Sequence, residues 1–384
     1  MLNFSRELKL EDLTLSAFVF GPRMTGKTFL LRQLTCGLFI DLMDPEVELE
    51  LRLSPRRFWE QIRMLADASL VIVDEIQKVP VLLDYVQKGI EEKGLRFILS
   101  GSSARKLKRG GANLLGGRAL QKHLYPLTTK EMAEILQLNT VLQYGSLPKV
   151  IQLIHEGRIE DAKGVLRAYH TTYIKEEIQA EALTRNVGAF QRFLSVAAQS
   201  NGSVIEFANI SRECSVPMST VKEYYSILED TLLGFFLWPW NRSERKKARP
   251  KFYFFDPGVA RAVQSRLNDP PTPLERGVLF EQWFVNELHR LRDYRQKECD
   301  LAFWRQGVHE VDVLASRNGK PLLAFECKTG KGALSSDTLK AFQKKFPHTP
   351  VYIVSADEPL ARRLDNGLEA LPFPQAFDIF LANL

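Results

Sequence analysis

The chain has 384 residues, 45% of them hydrophobic and 26% charged, and a formal net charge of +6. That length exceeds one typical core and predicts two or three domains, while the composition excludes a fibrous or disordered chain. The positive balance is compatible with a nucleic-acid partner and equally with a mixed, solvated surface. Cys36, Cys214, Cys299 and Cys327 stand far apart with no CxxC pair, and the six histidines do not cluster. Neither a zinc site nor a disulfide framework is indicated. The first nine residues carry charges where a signal peptide needs an apolar core, and the longest apolar run, 231–240, is too short to span a bilayer. The expectation is a cytoplasmic protein.

In chain order, the first informative stretch is SAFVFGPRMTGKTFLLRQL, residues 16–34. An apolar strand meets Gly21, Pro22, Arg23, Met24, Thr25, Gly26, Lys27 and Thr28, and a helical pattern follows. This is GxxxxGKT between a strand and a helix, the setting that separates a phosphate cradle from an ordinary glycine-rich turn. Glycines let backbone N–H groups close round phosphates, and the helix N-terminus adds positive potential. Lys27 would reach the β- and γ-phosphates of ATP, and Thr28 would hold Mg²⁺. LFIDLMD, 38–44, reads as a further strand. SLVIVDEIQKVP ends an apolar strand in Asp74 and Glu75; Asp74 would bind the magnesium through water and Glu75 would orient the attacking water. LRFILSGSSARKL supplies another strand ending in Ser100, Gly101 and Ser102, whose hydroxyls could sense a γ-phosphate or cap a helix.

Alternation of strand and helix predicts a doubly wound α/β domain. Over residues 10–127 these motifs resemble the AAA superfamily of P-loop ATPases. The resemblance implies a sensor role for Ser102 and an arginine finger, for which Arg118 and Arg105 are the candidates; such fingers often act in trans. A homo-oligomer is allowed but not required. Residues 128–190 read as helical, interrupted by YGSLPKV, and look like the helical lid that follows an AAA core. Residues 191–250 hold a helix near 206–213, a turn through Ser215, Val216 and Pro217, and a second helix near 219–228. Val221, Tyr224, Tyr225 and Leu228 share one face of that helix. Apolar strands follow, an order that resembles a winged helix-turn-helix.

The usual partner of such a module is double-stranded DNA. Thr220, Lys222, Glu223, Glu229 and Asp230 give its second helix little positive charge for base readout. More basic is NRSERKKARPK, 241–251, with Arg242, Arg245, Lys246, Lys247, Arg249 and Lys251 against Glu244. It reads as a phosphate-contacting wing or as a solvated loop.

Residues 251–384 open on FYFFDPGVARAV. GVLFEQWFVNELHRL, 277–291, is an amphipathic helix bearing Glu281 and Glu287, with Leu279, Phe280, Phe284, Val285 and Leu288 on its buried side. DLAFWRQ reads as a strand, and HEVDVLASRNGKPLLAFECKTG, 309–330, as a hairpin. Glu326 and Lys328 share a face, being two apart. A plain two-residue Asn318–Gly319 turn would pair 312 with 325 and send Asp312 to the other face. An odd loop or a bulge is needed to bring Asp312 to Glu326. If they converge, Asp312 and Glu326, with Glu281, would bind Mg²⁺, and Lys328 would offset developing charge. His309 and Glu310 read as exposed neighbours, with a supporting role behind the acids also open.

This set resembles the PD-(D/E)XK nucleases, with Val311 where that family has proline. A degenerate nuclease fold used for binding is the competing reading. The whole order is similar to bacterial and archaeal ATPases with an AAA core, a winged helix and a C-terminal domain related to PD-(D/E)XK nucleases. The expected domains are 1–127, 128–190, 191–250 and 251–384, the last an α/β restriction-endonuclease-like domain. Two readings follow: an ATPase that moves a DNA-contacting arm and gates a nuclease, or a nucleotide-controlled switch whose C-terminal domain binds without cutting.

Overall fold

A computed structural model describes residues 4–102, 107, 115–174, 187–240, 249–330 and 332–384. They fall into two compact units: Met1–Leu127 with Asp230–Leu233, and Thr128–Glu229 with Gly234–Leu384.

The first unit is built on strands β1 (Ser16–Phe20), β2 (Leu38–Asp41), β3 (Leu70–Asp74), β4 (Arg96–Gly101) and β5 (Ala119–His123). All pairings are parallel, in the order β2-β3-β4-β1-β5. β1 is buried along its whole length, because a parallel sheet is covered on both faces. Phe18, Phe20, Val71, Val73 and Leu99 form one core with Phe58 and Ile62 of helix Arg56–Ile62 and Leu82 and Val86 of helix Leu82–Lys93. β5 escapes detection in the sequence because it is an edge strand carrying Gln121 and Lys122; its register runs from Ser16↔Ala119 to Phe20↔His123. Phe20↔Gly101 and Asp41↔Asp74 register the strand ends, so the cradle, Asp74 and the end of β4 emerge at one edge of the sheet.

The second unit is organised on an eight-stranded sheet. Its strands are β6 (Gly234–Pro239), β7 (Lys251–Phe254), β8 (Asp300–Gln306), β9 (His309–Arg317), β10 (Lys320–Lys328), β11 (Val351–Ser355), β12 (Arg362–Arg363) and β13 (Glu369–Pro372). Their order is β12-β13-β11-β10-β9-β8-β6-β7. β6 pairs antiparallel with β7 and in parallel with β8, so the hairpin after helices Phe207–Cys214 and Met218–Asp230 continues into the C-terminal sheet. Tyr225, fully buried, packs against Phe193, Phe207, Phe236 and Phe252 and seats the second of those helices. Val221, Tyr224 and Leu228 are buried with it.

The segment expected as a lid packs with the C-terminal residues. Helix Leu138–Tyr144 meets helix Pro257–Val263 so closely that a Cβ on Gly258 would lie 2.0 Å from the Tyr144 carbonyl oxygen. Asp256, fully buried, accepts the Ser146 N–H at 2.7 Å and the Val259 N–H at 3.0 Å, and Arg261 donates to the Gln143 carbonyl at 3.2 Å. The motifs YGSLPKV and FDPGVAR, a hundred residues apart in sequence, are thus two halves of one clasp. Burial explains the arrangement: Asp256 needs donors, and the turn at Ser146 supplies one.

Glu287, on helix Pro273–Tyr294, is fully buried, accepts the Thr129 N–H at 2.7 Å and lies 3.6 Å from Arg290. Burial pushes its carboxyl up to about 7. A folded-state value above the ordinary one stabilises fully below the unfolded value and loses that contribution as pH rises through about 7. Between pH 5 and 8 the unfolding free energy of the second unit should therefore fall, and Glu287→Gln should flatten that slope; urea titrations across the range measure it.

Candidate functional site

Where β1 ends, the chain turns through Gly21. A Cβ there would lie 2.3 Å from the Leu124 carbonyl oxygen, so only glycine fits. Met24 and Gly26 take left-handed φ values of 65° and 92°. The Thr25 hydroxyl donates to the Pro22 carbonyl at 2.9 Å, and the buried Lys27 ammonium donates to the carbonyls of Gly21 and Pro22 at 2.8 and 3.0 Å. Arg6, buried, donates to the carbonyls of Thr25 and Tyr125, each at 2.6 Å, and so buttresses the loop from outside. Nothing in the sequence marks Arg6: it is a lone arginine in an irregular segment.

Asp74 is fully buried at the end of β3. Thr28 donates its hydroxyl to Asp74 Oδ2 at 2.6 Å, and the Ser100 hydroxyl donates to Oδ1. Ser100 also accepts the Glu75 N–H at 2.9 Å. Glu75 holds φ 59°, an uncommon conformation for a side-chain-bearing residue, and its carboxylate accepts from the Gln77 amide. Ser102, also buried, follows β4 immediately, but the hydroxyl engaged with Asp74 is that of Ser100.

Thr28 and Asp74 are an all-oxygen donor pair beside a lysine ammonium and a loop with no room for a Cβ. They fit a magnesium-bound nucleotide. Arg23 and Pro22 complete the loop. Arg118 does not join it: it precedes Ala119, which pairs with Ser16 at the far end of β1, and its guanidinium pairs with Glu91 at 2.9 Å. As a finger for its own cradle it is therefore excluded, because the parallel register carries the two to opposite sheet edges. Arg105 lies outside the described residues.

In the second unit, β9 and β10 join through a two-residue turn at Asn318 and Gly319, with φ of 50° and 74°, and Lys320 pairs with Arg317. A register shift between Pro321 and Leu323 then pairs Ala324 with Leu314 and Phe325 with Val313. Continued, that register sets Asp312 opposite Glu326 on one face, so a bulge supplies the extra residue that alternation demands. The Cys327 N–H donates to Asp312 Oδ2 at 2.9 Å, and Lys328 donates to Glu326 Oε1 at 2.7 Å. Glu281 reaches this region from helix Pro273–Tyr294, and its carboxylate accepts from Tyr253 at 2.5 Å.

The expected metal site does not follow. Among the described residues, no three His, Cys, Asp or Glu side chains are arranged to hold a metal ion. An ammonium stands there instead: Lys251 Nζ lies 2.7 Å from Glu281 Oε1, 2.7 Å from Glu310 Oε1 and 3.7 Å from Asp312 Oδ1, and the residue is 3% exposed. Glu281, Asp312 and Glu326 thus do not fit Mg²⁺ as they are placed. Burial and the Asp312 charge push Glu281 up to about 7 and Glu326 up to about 8. One expectation changes with this: Lys251 is no part of an exposed basic wing, because β7, the last strand of the sheet order, is buried along its length and hands its lysine to the carboxylates, Glu310 among them.

Arg242, Arg245, Lys246 and Lys247 lie outside the described residues. Arg249 is exposed and pairs with Glu206. Among the described residues no helix is long and apolar enough to cross a membrane.

Residues 15–133 match the AAA domain family, residues 135–270 a domain of unknown function (DUF8612), and residues 276–376 another domain of unknown function (DUF4143). The cradle and Asp74 both lie within the residues that match the AAA domain family. Over 373 residues, 90% of this chain and 81% of the relative, the sequence is 22% identical to the uncharacterized protein MJ1544 of Methanocaldococcus jannaschii. Among solved structures, the Aeropyrum pernix ORC1 protein in complex with DNA matches at a TM-score of 0.32 and 12% identity, over 67% of this chain and 87% of that one. The replication initiator DnaA bound to AMPPCP and single-stranded DNA matches at 0.30 and 15%, over 58% and 84%.

Arg6→Ala should remove the hydrogen bonds to the Thr25 and Tyr125 carbonyls, one buried and one partly buried, at a local cost of roughly 2–4 kcal/mol. Faster amide hydrogen exchange across residues 20–27, read by mass spectrometry, checks it.

Proposed function

We propose that this chain is an ATP-binding and ATP-hydrolysing switch whose second unit holds a partner without cutting nucleic acid. The observation that carries the reading is the meeting of Lys27, Thr28, Asp74 and Glu75 at one edge of a parallel sheet, with Ser100 fixing the Asp74 carboxylate. Lys27 exchanges the two loop carbonyls for phosphate oxygens. Thr28 would hold the magnesium, and Asp74 would bind it through water. Glu75, set by its left-handed backbone and by Gln77, orients the attacking water, and Ser102 faces the γ-phosphate. When bound, the magnesium nucleotide supplies the phosphoryl group and the neutralisation of its charge. An arginine supplied in trans remains part of this reading.

For the second unit we read residues 128–190 as a helical element, 191–250 as a winged helix and 251–384 as a nuclease-like fold retained for binding. The helix-turn-helix followed by the β6–β7 hairpin supports the winged helix, and the bulged β9–β10 hairpin with Asp312 and Glu326 on one face supports the nuclease-like fold. The lysine among the acids favours binding over cleavage. The charge of Arg242, Arg245, Lys246 and Lys247 supports double-stranded DNA as the partner, through phosphate contacts rather than base readout.

Lys27→Ala should lower ATP turnover by at least about 100-fold, while Glu75→Gln should keep nucleotide affinity and lose turnover to a similar degree. Unchanged turnover in Lys27→Ala would sink the hydrolysis reading. Affinity for duplex DNA should fall with salt, and neutralising Arg245, Lys246 and Lys247 together should weaken it and shallow the salt slope by about 3. A duplex affinity indifferent to both would remove DNA from the reading.

A further inference from the structure

The Asp312–Glu326 hairpin, the Glu281 helix and β7 bring four carboxylates and two lysines into one buried neighbourhood. Lys328 answers Glu326 at 2.7 Å, and Lys251 answers Glu281 and Glu310 at 2.7 Å each, with Asp312 at 3.7 Å. Glu326 Oε2 is buried and has no hydrogen-bond partner among the described residues. The carboxylates gather round a cation, and that cation is a side chain. Its amine also sits 5.5 Å from the centre of the Phe303 ring, so apolar and aromatic surface closes round it.

A divalent ion bonds carboxylate oxygen at about 2.0–2.6 Å. Bonded to the Glu281 oxygen that Lys251 already holds, it would stand within about 5 Å of a buried ammonium, where burial weakens solvent screening. The two cations compete for one set of oxygens. Lys251 has the advantage, because it is tethered to β7 and costs no desolvation on arrival once the strand is paired.

We propose that Lys251 is a built-in counter-ion that occupies the place of a divalent metal, so that the Glu281–Asp312–Glu326 cluster excludes Mg²⁺ and Mn²⁺ while β7 is in the sheet. The cluster then serves as an internal ion-pair lock between β7, β9 and helix Pro273–Tyr294. The inference is independent of ATP hydrolysis, since it concerns only this cluster.

The test is Mn²⁺ titration of the full-length, nucleotide-free protein, followed by calorimetry and by the paramagnetic resonance signal of free Mn²⁺. Wild type, Asp312→Asn and Lys251→Arg should bind Mn²⁺ alike, with no site that depends on Asp312. Lys251→Met should gain one site, at least about 10-fold tighter than any in wild type, and Lys251→Met with Asp312→Asn should lose it. Lys251→Gln, which keeps a donor without the charge, serves where Lys251→Met does not fold. Mn²⁺ binding by wild type that Asp312→Asn abolishes would overturn the proposal, as would folded Lys251→Met and Lys251→Gln proteins that gain no site.

Discussion

The interaction on which the first unit turns is the grip on Asp74. A fully buried carboxylate is costly unless donors surround it, and here the donors come from two other segments: Thr28 from the cradle and Ser100 from β4. Each of those segments must end at the same sheet edge for the grip to close. The all-parallel order provides that, since Phe20 is registered with Gly101 and β3 lies beside β4. Gly21 then passes under the Leu124 carbonyl with no space to spare, and Arg6 ties off the outside of the loop. Loop shape, acid placement and edge register are one constraint seen three ways.

The second unit solves a similar problem differently. Its buried charges are answered from within: Asp256 by the Ser146 turn, Arg261 by Glu275 and a main-chain carbonyl, and the acids of the β9–β10 hairpin by Lys251 and Lys328. Such pairs add little net stability compared with an apolar core, but removing one partner is expensive, so they hold segments in one arrangement. This is how the turn at Tyr144–Ser146 and the helix from Pro257 become inseparable, and why residues expected as a lid belong by packing to the C-terminal unit.

The two clusters differ in the company their lysines keep. The Thr28–Asp74 pair offers hard oxygen donors next to a lysine that donates to two loop carbonyls. The second cluster offers more carboxylates, but Lys251 is buried on Glu281, Glu310 and Asp312, and Lys328 holds Glu326. The difference lies in what each ammonium can reach: Lys27 has main-chain oxygens that it can exchange, whereas Lys251 has charged ones.

The residues of the cradle, Asp74 and the strand ends were legible in the chain itself, because their chemistry is local: a glycine spacing, an apolar run, an acid at its end. The amphipathic helix carrying Glu281 and Glu287 was legible for the same reason, and so was the buried face of Val221, Tyr224, Tyr225 and Leu228. What alternation alone left open was whether Asp312 meets Glu326. A bulge at Leu322 decided that, and no propensity marks it. Arg6 was not legible, and neither were the carboxylates that Ser100 and Lys251 answer, since each of the three acts on a group distant in sequence. Arg118 lies at the sheet edge opposite its own cradle, a fact held only in the β1–β5 register, so it could serve as a finger only in trans. Local patterns determined which residues could do chemistry; long-range pairing decided which of them meet, and with it put a lysine where a metal had been expected.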